Sequence, residues 1–575
     1  MKRLLDVRLG YVTVGVAATL VTLPSLAAGL YDDDLWQRRF LLDHLRGPHT
    51  TGWWQLFGVP LHGAVPALVY GGYLPWWTSQ HFQLSFFRPL ATLTHYLDYA
   101  FWPQSAWLMH LQSTAWYVAL CVAVAALYRR TLGAGAAATL AALIYAIDEG
   151  HLEAVGWLAA RNSVLTALLC TATLLLLDAQ RRTGARAYGV FAACTLALSH
   201  LSSEGAIAVW AYVAGRELCV RRPSLRSALI DLAPCALVSA AFTLLTRSLN
   251  YTVVGSGAYI DPAGRPLEFT RAVLERLPQL LSEQFGPPAW LNRVFAGSQF
   301  EGVYVVVCVC AWLLIFIYAV RKFVHDAELG ALCIGAIGSA LVVCTARPEP
   351  RLLLMVGIGA DALLAKLLVS LASVLSNRIG MQRVAAAAAV CWIAVLHIAL
   401  APIGSFTVPE SYRQKHRARV EAALGMDLAP VDPRQVVAIL QAPSYFDALS
   451  IATYRLEIAP PAWRALHILG TSEHPVVLRR PAPDSLELVP EQGYLVERTS
   501  QQARSPDEPF SVGQTTPLDG LNVVVEEVNS SGRPSRVRLE FAPGFPDHVR
   551  LLTWNAQRQT FDHLALPAVG AERTL

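Results

Sequence analysis

Residues 9–35 read LGYVTVGVAATLVTLPSLAAGLYDDDL, an apolar run that ends in three consecutive aspartates. A helix needs about 20 predominantly apolar residues to cross the hydrocarbon core of a membrane, and residues 9–30 meet that length. The run is too long for the apolar region of a cleaved signal peptide. We therefore expect residues 9–30 to form a transmembrane helix, with Asp32–Asp34 at its far end.

The rest of the chain continues this pattern. The sequence is 54% hydrophobic and only 15% charged, whereas soluble domains carry about a quarter charged residues. Ten further segments have the character of spans, near 106–128, 132–147, 154–178, 187–201, 205–219, 227–246, 302–320, 329–346, 352–375 and 384–402. The sequence thus predicts an α-helical polytopic membrane protein with about eleven transmembrane helices.

The basic residues predict how these helices are oriented. Alternate loops contain Arg129, Arg181, Arg216, Arg321 and Arg378, whereas the loops between them are acidic. Because cytoplasmic loops are enriched in Lys and Arg, we expect the N-terminus in the cytoplasm. An odd number of spans then places the C-terminal part outside. We expect a multi-pass protein of the bacterial inner (plasma) membrane with a periplasmic C-terminal domain.

The charge distribution also divides the chain into two expected domains. The last 170 residues hold 17 Lys/Arg and 20 Asp/Glu, about a fifth of that stretch, against about an eighth before it. We expect a transmembrane domain at 1–402, with long outside loops at 31–105 and 247–301, and a soluble extracytoplasmic domain at 403–575.

The soluble domain is expected to be β-rich or α+β. A polar helix is predicted near 410–425, followed by strands at 436–440, 476–480, 521–528, 535–541 and 548–554. Asn529–Gly532 reads as a hairpin turn between the third and fourth of these strands. In the first outside loop, clustered aromatic residues, Trp76 and Trp77 among them, predict helices lying along the membrane surface, one of them at 89–102.

The three aspartates are the strongest chemical signal. Adjacent carboxylates repel one another, so some are expected to hold protons more tightly than usual or to face a cation. A carboxylate that faces an outer cavity can act as a general base toward an acceptor hydroxyl. Asp32, Asp33 and Asp34 also fit a solvated end to the first span, and on their own they leave both interpretations open.

Other ionisable residues at outer span ends support a site there, because charge near membrane depth is costly and is seldom present without a partner or a function. Glu153, Trp157 and Arg161 are spaced so that one continuous helix would carry them on one face. Arginines suit an anionic lipid phosphate, and carboxylates suit proton transfer. The further candidates are Arg88, His110, His151, Glu204 and Arg351.

Several function classes lack their usual signatures. The sequence contains no GxxxxGK[ST], HExxH, CxxC or GxSxG motif, and no basic stripe interleaved with aromatic residues. We therefore expect no nucleic-acid partner. No cofactor is firmly implied, although three adjacent carboxylates leave Mg²⁺ or Mn²⁺ open.

The order of these motifs resembles the GT-C superfamily of integral-membrane glycosyltransferases. The resemblance rests on the aspartates after the first span, on Arg88-Pro89-Leu90, and on the stretch from His151 to Arg161. His110 at the next span, Ser203-Glu204, and Glu349 to Leu353 complete the series. The chain is most similar to protein O-mannosyltransferase-like members over residues 1–400, and the similarity ends there.

This resemblance implies a function and roles for the candidate residues. It implies a polyprenyl-phosphate-linked sugar donor and inverting transfer of a hexosyl or pentosyl group, at the outer membrane face, to a cell-envelope glycan, lipid or protein. Asp33 or Asp34 would be the acceptor base, with the register ambiguous by one residue. Arg88, Arg161 and Arg351 would contact donor phosphate or acceptor. Asp32, His110, His151, Glu153 and Glu204 would complete the substrate cavity.

Two other classes of function remain as alternatives. The first is a non-catalytic transporter or flippase of lipid-linked saccharides, for which paired broken helices and inverted repeats would be expected. The second is an envelope scaffold whose exported domain binds partners.

Overall fold

The structure is a computed structural model of the chain. The residues that it describes are 7–47, 51–59, 64–221, 224–296, 298–428, 434–458, 463–472, 474–497, 499–542 and 548–575.

Helices dominate the first three quarters of the described chain. In chain order the α-helices are α1 Val7–Thr22, α2 Asp33–Arg46, α3 Val65–Tyr70, α4 Pro89–Phe101, α5 Ala106–Thr131, α6 Ala136–Ile147, α7 Glu149–Gly156, α8 Arg161–Thr183, α9 Arg186–His200, α10 Val209–Arg216, α11 Leu225–Ser248, α12 Pro266–Phe285, α13 Ala289–Phe295, α14 Glu301–Phe323, α15 Ala327–Val343, α16 Leu354–Asn377, α17 Met381–Ala394, α18 Gly404–Gly425 and α19 Tyr445–Ile458.

Of the thirteen strands in the described chain, ten lie in the last quarter. The thirteen strands are β1 Gly58–Val59, β2 Gln83–Ser85, β3 Val253–Val254, β4 Val436–Gln441, β5 Ala465–Ile468, β6 Val476–Ala482, β7 Ser485–Pro490, β8 Thr515–Leu518, β9 Leu521–Val528, β10 Pro534–Phe541, β11 Val549–Asn555, β12 Thr560–His563 and β13 Glu572–Thr574. The expected helical membrane protein with a β-rich C-terminal region is therefore confirmed.

The chain forms two compact units. The helical unit comprises residues 1–57, 86–250 and 261–413, and the second unit comprises 58–85, 251–260 and 414–575. The expected division was a single boundary at 402. The structure differs because the helical unit continues to residue 413, inside α18, and because residues 58–85 and 251–260 of the two long loops join the second unit.

Among the described residues, seven helical segments are long and apolar enough to cross a membrane. They are 10–27, 106–131, 158–183, 226–248, 301–323, 354–377 and the start of 381–425, and α6 and α15 are shorter apolar helices. The two remaining predicted spans, near 187–201 and 205–219, are also helical, as α9 and α10. The number eleven stays a prediction, while the helical character of each segment is confirmed.

The helices of the first unit pack closely where glycine removes the side chain. A Cβ on Gly215 of α10 would lie 2.4 Å from the backbone oxygen of Ala331 in α15. A Cβ on Gly359 of α16 would lie 2.2 Å from the backbone oxygen of Leu332. Small residues allow helix backbones to approach in membranes, where lipid gives little hydrophobic drive for association. These contacts set α15 between α10 and α16.

The stretch from Glu153 to Arg161 is broken, and our expectation of one continuous helix was wrong. The helix α7 ends at Gly156, and Trp157 adopts an extended conformation with φ −113° and ψ 110°. A single 3₁₀ turn at Leu158–Ala160 follows, and α8 begins at Arg161. Because the break redirects the chain, Glu153 and Arg161 point into different surroundings. Regular helical spacing could not reveal this.

The second unit contains three sheets. The largest has six antiparallel strands in the order β13-β6-β7-β10-β9-β8. A four-stranded sheet, β12-β11-β4-β5, contains parallel pairs, and α19 provides the crossover between its strands β4 and β5. A small sheet, β1-β2-β3, joins the two loop segments. The α+β alternative for this region is thus the observed one.

Of two local predictions from the sequence in this region, the structure confirms one and contradicts the other. The predicted turn at Asn529–Gly532 does join β9 to β10, with Gly532 at φ +71°. Trp76 and Trp77, in contrast, do not lie at a membrane surface. Both are buried, and their indole N–H groups donate to the backbone oxygens of Leu469 and Ser500, each at 3.0 Å. Buried tryptophan usually needs such a partner.

Candidate active site

The three aspartates lie where the chain leaves the first apolar helix and turns into α2. Asp32 precedes α2 with φ 43°, a backbone conformation that non-glycine residues rarely adopt. Asp33 and Asp34 form the first turn of α2. The unpaired N–H groups and the dipole at a helix N-terminus favour negative charge at these positions.

Asp34 is buried and is held by two backbone amides. Its Oδ2 accepts a hydrogen bond from the N–H of Tyr31 at 2.9 Å, and its Oδ1 accepts one from the N–H of Ala159 at 2.7 Å. Burial raises the pKa of Asp34 to about 8, while the two amides act to lower it. Ala159 can donate because it lies in the 3₁₀ turn after the break at Trp157. Asp34 therefore ties α2 to the start of α8.

Asp33 has the opposite setting. Its side chain is exposed, unlike that of Asp34 one residue later. Desolvation by the surrounding protein and the charge of Asp32 raise the pKa of Asp33 to about 6, and Arg351 acts to lower it. Asp33 is accessible, and a pKa of about 6 leaves most of its carboxyl ionised at neutral pH.

Arg351 is the cation whose charge acts to lower the pKa of Asp33, and several groups hold it in place. Its guanidinium lies 4.4 Å from the ring centroid of Trp157, and its Nη1 donates to Glu349 at 2.8 Å. Its backbone N–H donates to Oε2 of Glu153 at 3.3 Å. An arginine held against an aromatic face and a carboxylate keeps its fork in one orientation.

Glu153 links this arginine to an aromatic wall. Its Oε1 accepts a hydrogen bond from the hydroxyl of Tyr412 at 3.1 Å. The Tyr412 ring stacks on Tyr31, with the centroids 4.3 Å apart, and Tyr31 meets Trp157 edge-on at 5.7 Å. The residue before the aspartates is thus packed against the same group of side chains. We call Asp33, Glu153, Trp157, Arg351 and Tyr412 the outer cluster.

Two further acids lie beside the outer cluster. Burial, Glu349 and Glu153 raise the pKa of Glu283 in α12 to about 7. Burial also raises the pKa of Glu349, and Arg351 opposes that shift. Neither Glu283 nor Tyr412 was a sequence candidate. Both come from segments whose position could not be inferred, although a lone acid at the end of an amphipathic helix was a weak signal for Glu283.

Arg161 lies apart from the outer cluster, in a buried ion pair. Its Nη1 is 2.6 Å from Oδ2 of Asp98 in α4, and both side chains are fully buried. It also donates to Ser113 Oγ at 2.9 Å, to Gln112 Oε1 at 2.5 Å and to the backbone oxygen of Met109 at 2.9 Å. Its donors are engaged by protein groups, so the phosphate contact expected for Arg161 has no support from this geometry.

Arg88 and Glu204 form a second pair, at 13% and 48% side-chain exposure. Two guanidinium nitrogens meet both carboxylate oxygens, with Nε to Oε2 at 2.9 Å. Burial acts to raise the pKa of Glu204, but Arg88 holds it below its ordinary value. The guanidinium also lies over the rings of Phe86 and Phe57, at 4.3 and 5.1 Å. The exposed part of this pair is mainly Glu204, so an anionic ligand would have to displace that carboxylate to reach Arg88.

The two histidine candidates are interior residues. His110 is fully buried, and its Nε2 lies 2.8 Å from the backbone oxygen of Gly29. His151 is also fully buried, with Nδ1 3.0 Å from the backbone oxygen of Tyr145. Both contacts tie helix ends together, which is the common role of a histidine in a core.

The candidates therefore divide into three groups. The structure brings Asp32, Asp33, Asp34, Glu153 and Arg351 together. Arg88 and Glu204 form a separate pair, and Arg161, His110 and His151 lie in the interior. Within the described ranges, no three His, Cys, Asp or Glu side chains are arranged to hold a metal ion.

Comparisons with known proteins give a likeness of fold. No family model matches the chain, and no curated protein matches it. The chain is similar to the Archaeoglobus fulgidus oligosaccharyltransferase, solved with a tethered acceptor peptide, at TM-score 0.43 and 14% identity over 80% of this chain and 64% of that one. It is also similar to ArnT from Cupriavidus metallidurans in the apo state, at TM-score 0.38 and 12% identity over 80% of this chain and 84% of that one.

The chain spans less than two thirds of the oligosaccharyltransferase that it matches. These values describe the fold alone, and no reaction of this chain follows from them.

Proposed function

We propose that this chain is a membrane glycosyltransferase of the GT-C type, with Asp33 as the general base. It would take a sugar from a polyprenyl-phosphate donor and transfer it, with inversion, to a hydroxyl-bearing acceptor of the cell envelope. The observation that carries the proposal is the contrast within the aspartates. Asp34 is buried and bonded to two amides, whereas Asp33 is exposed, has a pKa near 6 and lies beside Arg351.

The chemistry requires little more than these groups. The acceptor oxygen attacks the anomeric carbon as the bond from that carbon to the phosphate oxygen breaks. Asp33 takes the acceptor proton, and the polyprenyl phosphate leaves as an anion. A fixed guanidinium stabilises charge that develops on a leaving phosphate, and Arg351 is held in place by Trp157 and Glu349. No covalent enzyme intermediate is needed, since a single displacement inverts the sugar.

Arg88 is the second arginine suited to an anionic ligand. Its aromatic platform holds the guanidinium in one plane, and a donor phosphate that displaced Glu204 would meet the two donors that now bind the Glu204 carboxylate. Glu204 is half exposed, so a competing anion can reach the pair. In this proposal Arg88 binds the phosphate of the lipid-linked donor. Arg351 faces the anomeric carbon, at which the sugar is transferred.

Conversion of lipid-linked sugars in membranes that contain the chain tests the proposal. Membranes with the wild type, Asp33→Asn or Asp34→Asn are supplied with polyprenyl-phosphate-linked sugars, and release of polyprenyl phosphate is followed by mass spectrometry. Asp33→Asn is expected to lower the rate by about 10²–10⁴-fold, the usual contribution of a general base. Asp34→Asn is expected to act mainly by reducing the amount of folded protein.

Asp43→Asn is the matched control, because Asp43 lies on the same helix in an exposed pair with Arg46. It should release polyprenyl phosphate at the wild-type rate. Full activity of Asp33→Asn would refute the base assignment. A donor that is moved across the membrane without loss of its sugar would instead indicate a transporter.

A further inference from the structure

Two buried polar side chains meet at a glycine inside the helical unit. A Cβ built on Gly357 of α16 would lie 2.8 Å from Nε2 of His151 and 3.3 Å from Oδ2 of Asp361. His151, on α7, and Asp361, one turn after Gly357 on α16, are both fully buried. Within the described part of the chain, neither His151 Nε2 nor either oxygen of Asp361 has a hydrogen-bond partner.

The other nitrogen of His151 defines its tautomer. Nδ1 lies 3.0 Å from the backbone oxygen of Tyr145, and a carbonyl oxygen can only accept a hydrogen bond. Nδ1 therefore carries the proton of the neutral ring. It follows that Nε2 is an acceptor, and that it requires a donor to satisfy it inside the protein.

Asp361 can donate toward His151 only as a neutral carboxylic acid. An isolated carboxylate in an apolar interior is strongly disfavoured, and such a group takes up a proton instead. Asp361 forms no ion pair among the described residues, and the charged group that acts on it is another acid, Asp148. A protonated carboxyl has one O–H to donate, which matches the single acceptor on His151.

The tyrosines around this point do not satisfy Asp361, because their hydroxyl groups are already used. Tyr128 donates to the backbone oxygen of Ile358 at 2.7 Å, and Tyr145 donates to that of Leu354 at 2.9 Å. Tyr212 donates to the backbone oxygen of Met355. The tyrosines thus donate to the backbone of α16, and none of these three hydroxyl groups donates to Asp361 or to His151.

We propose that the carboxylic acid of Asp361 is hydrogen-bonded to Nε2 of His151 through one water molecule in the space beside Gly357, and that this bridged bond positions the outer cluster. His151 is two residues before Glu153 on α7, and Arg351 lies just before the start of α16. Glu153 and Arg351 are themselves joined at 3.3 Å. The bond holds α7 against α16, and it therefore keeps Glu153 and Arg351 in fixed positions relative to each other.

Infrared spectroscopy of the purified full-length chain tests the bond without any assay of transfer. Replacing aspartate with carbon-13-labelled aspartate in the wild-type protein is expected to shift the carbonyl-stretch band of a protonated carboxylic acid. The part of this band that Asp361 contributes should be missing from Asp361→Asn. In His151→Leu, which offers no acceptor, the band should move to higher frequency, and His151→Gln should largely restore it.

Two results would overturn the bond. One is a labelled carboxylic-acid band that is as strong in Asp361→Asn as in the wild type, because Asp34, with a pKa of about 8, contributes such a band of its own. The other is a band that His151→Leu leaves unmoved. Thermal unfolding of each variant identifies any that do not fold, in which case nitrogen-15 NMR of the wild-type histidines decides, because the proposal requires a neutral Nδ1–H ring that accepts at Nε2.

The positioning role rests on the proposed function and has its own readout. His151→Leu is expected to lower kcat for sugar transfer at least tenfold with little change in the donor KM, and His151→Gln should restore most of it. Unchanged kcat in His151→Leu, with the infrared shift present, would overturn the positioning role alone. Absence of transfer in the wild type would refute the proposed function and leave the infrared result standing.

Discussion

Replacement of Arg161 with methionine is expected to destabilise the folded protein strongly. Arg161 and Asp98 are both fully buried, with Nη1 2.6 Å from Oδ2. Methionine fills a similar volume, so the main effect is electrostatic: Asp98 loses its cation in a medium where an unpaired charge is costly. Removing one partner of a buried pair costs about 3–5 kcal/mol in the free energy of unfolding.

The surroundings of the pair refine this magnitude. Arg161 also satisfies Ser113 and the backbone oxygen of Met109, and the loss of these bonds adds to the cost. Trp102 Nε1 continues to donate to Oδ1 of Asp98 at 3.0 Å, which offsets part of it. We therefore expect a loss of about 4 kcal/mol for Arg161→Met, near the middle of the range for buried pairs.

The double variant Arg161→Met/Asp98→Leu separates the ion pair from simple packing. With both charges gone, no buried charge is left unpaired, and about 2 kcal/mol or more of the loss should be recovered. Unfolding in mixed micelles of increasing denaturing detergent, followed by tryptophan fluorescence, measures each free energy. Arg46→Met, in a pair with 74% and 44% side-chain exposure, is the control and should change stability by less than about 1 kcal/mol.

A stable but inactive Arg161→Met protein would refute this reasoning. It would show that Arg161 contacts substrate, as the sequence resemblance implied, and that Asp98 tolerates its loss. A double variant as unstable as the single one would also contradict it, because the cost would then come from packing and not from the stranded carboxylate.

Three further outcomes follow from the structure. If ionised Asp33 is the base, its pKa of about 6 means that the transfer rate should fall about tenfold between pH 7 and pH 5, as the carboxylate gains its proton. Arg351→Gln removes the charge that lowers this pKa, so the acidic limb of the pH–rate profile should move to higher pH. Gly359→Ala places a methyl group 2.2 Å from the backbone oxygen of Leu332 and should lower the free energy of unfolding by about 1–3 kcal/mol, whereas Gly302→Ala, which meets nothing within 4 Å, should not.

The helical architecture was predictable because a helix that crosses a membrane needs a long apolar segment, which is easily found in the sequence. Each apolar segment predicted as a span is helical over most of its length, with a break at Trp157 inside the segment predicted at 154–178, since backbone groups in lipid must be bonded within the segment. The hairpin turn at Asn529–Gly532 was equally readable, because its geometry is local. The division of the chain into two units was not predictable, because strands β1, β2 and β3 come from distant segments and are too short to show any periodicity.

The candidate site was only half predictable from the residues. Charge at span ends made Asp33, Glu153 and Arg351 candidates, because acids and arginines are rare in such positions without a reason, and the structure brings these three into one cluster. Arg161 belongs to the same pattern, yet the break at Trp157 turns it toward Asp98. Sequence spacing assumes an unbroken helix, and Gly156, the residue before the break, is the one local signal that the assumption fails.

The bond from Ala159 to Asp34 has a consequence for how the chain can vary. Successive residues of a helix diverge by about 100° around its axis, so fixing Asp34 also fixes the direction of Asp33. The rotation of α2 about its axis is then set by the bond from Ala159 to Asp34. The linker between the first apolar helix and α2, residues 28–32, need not set it. We expect changes in linker length before Tyr31 to leave the position of α2 and the direction of Asp33 unchanged, as long as Asp34 stays bonded to the amides of Tyr31 and Ala159.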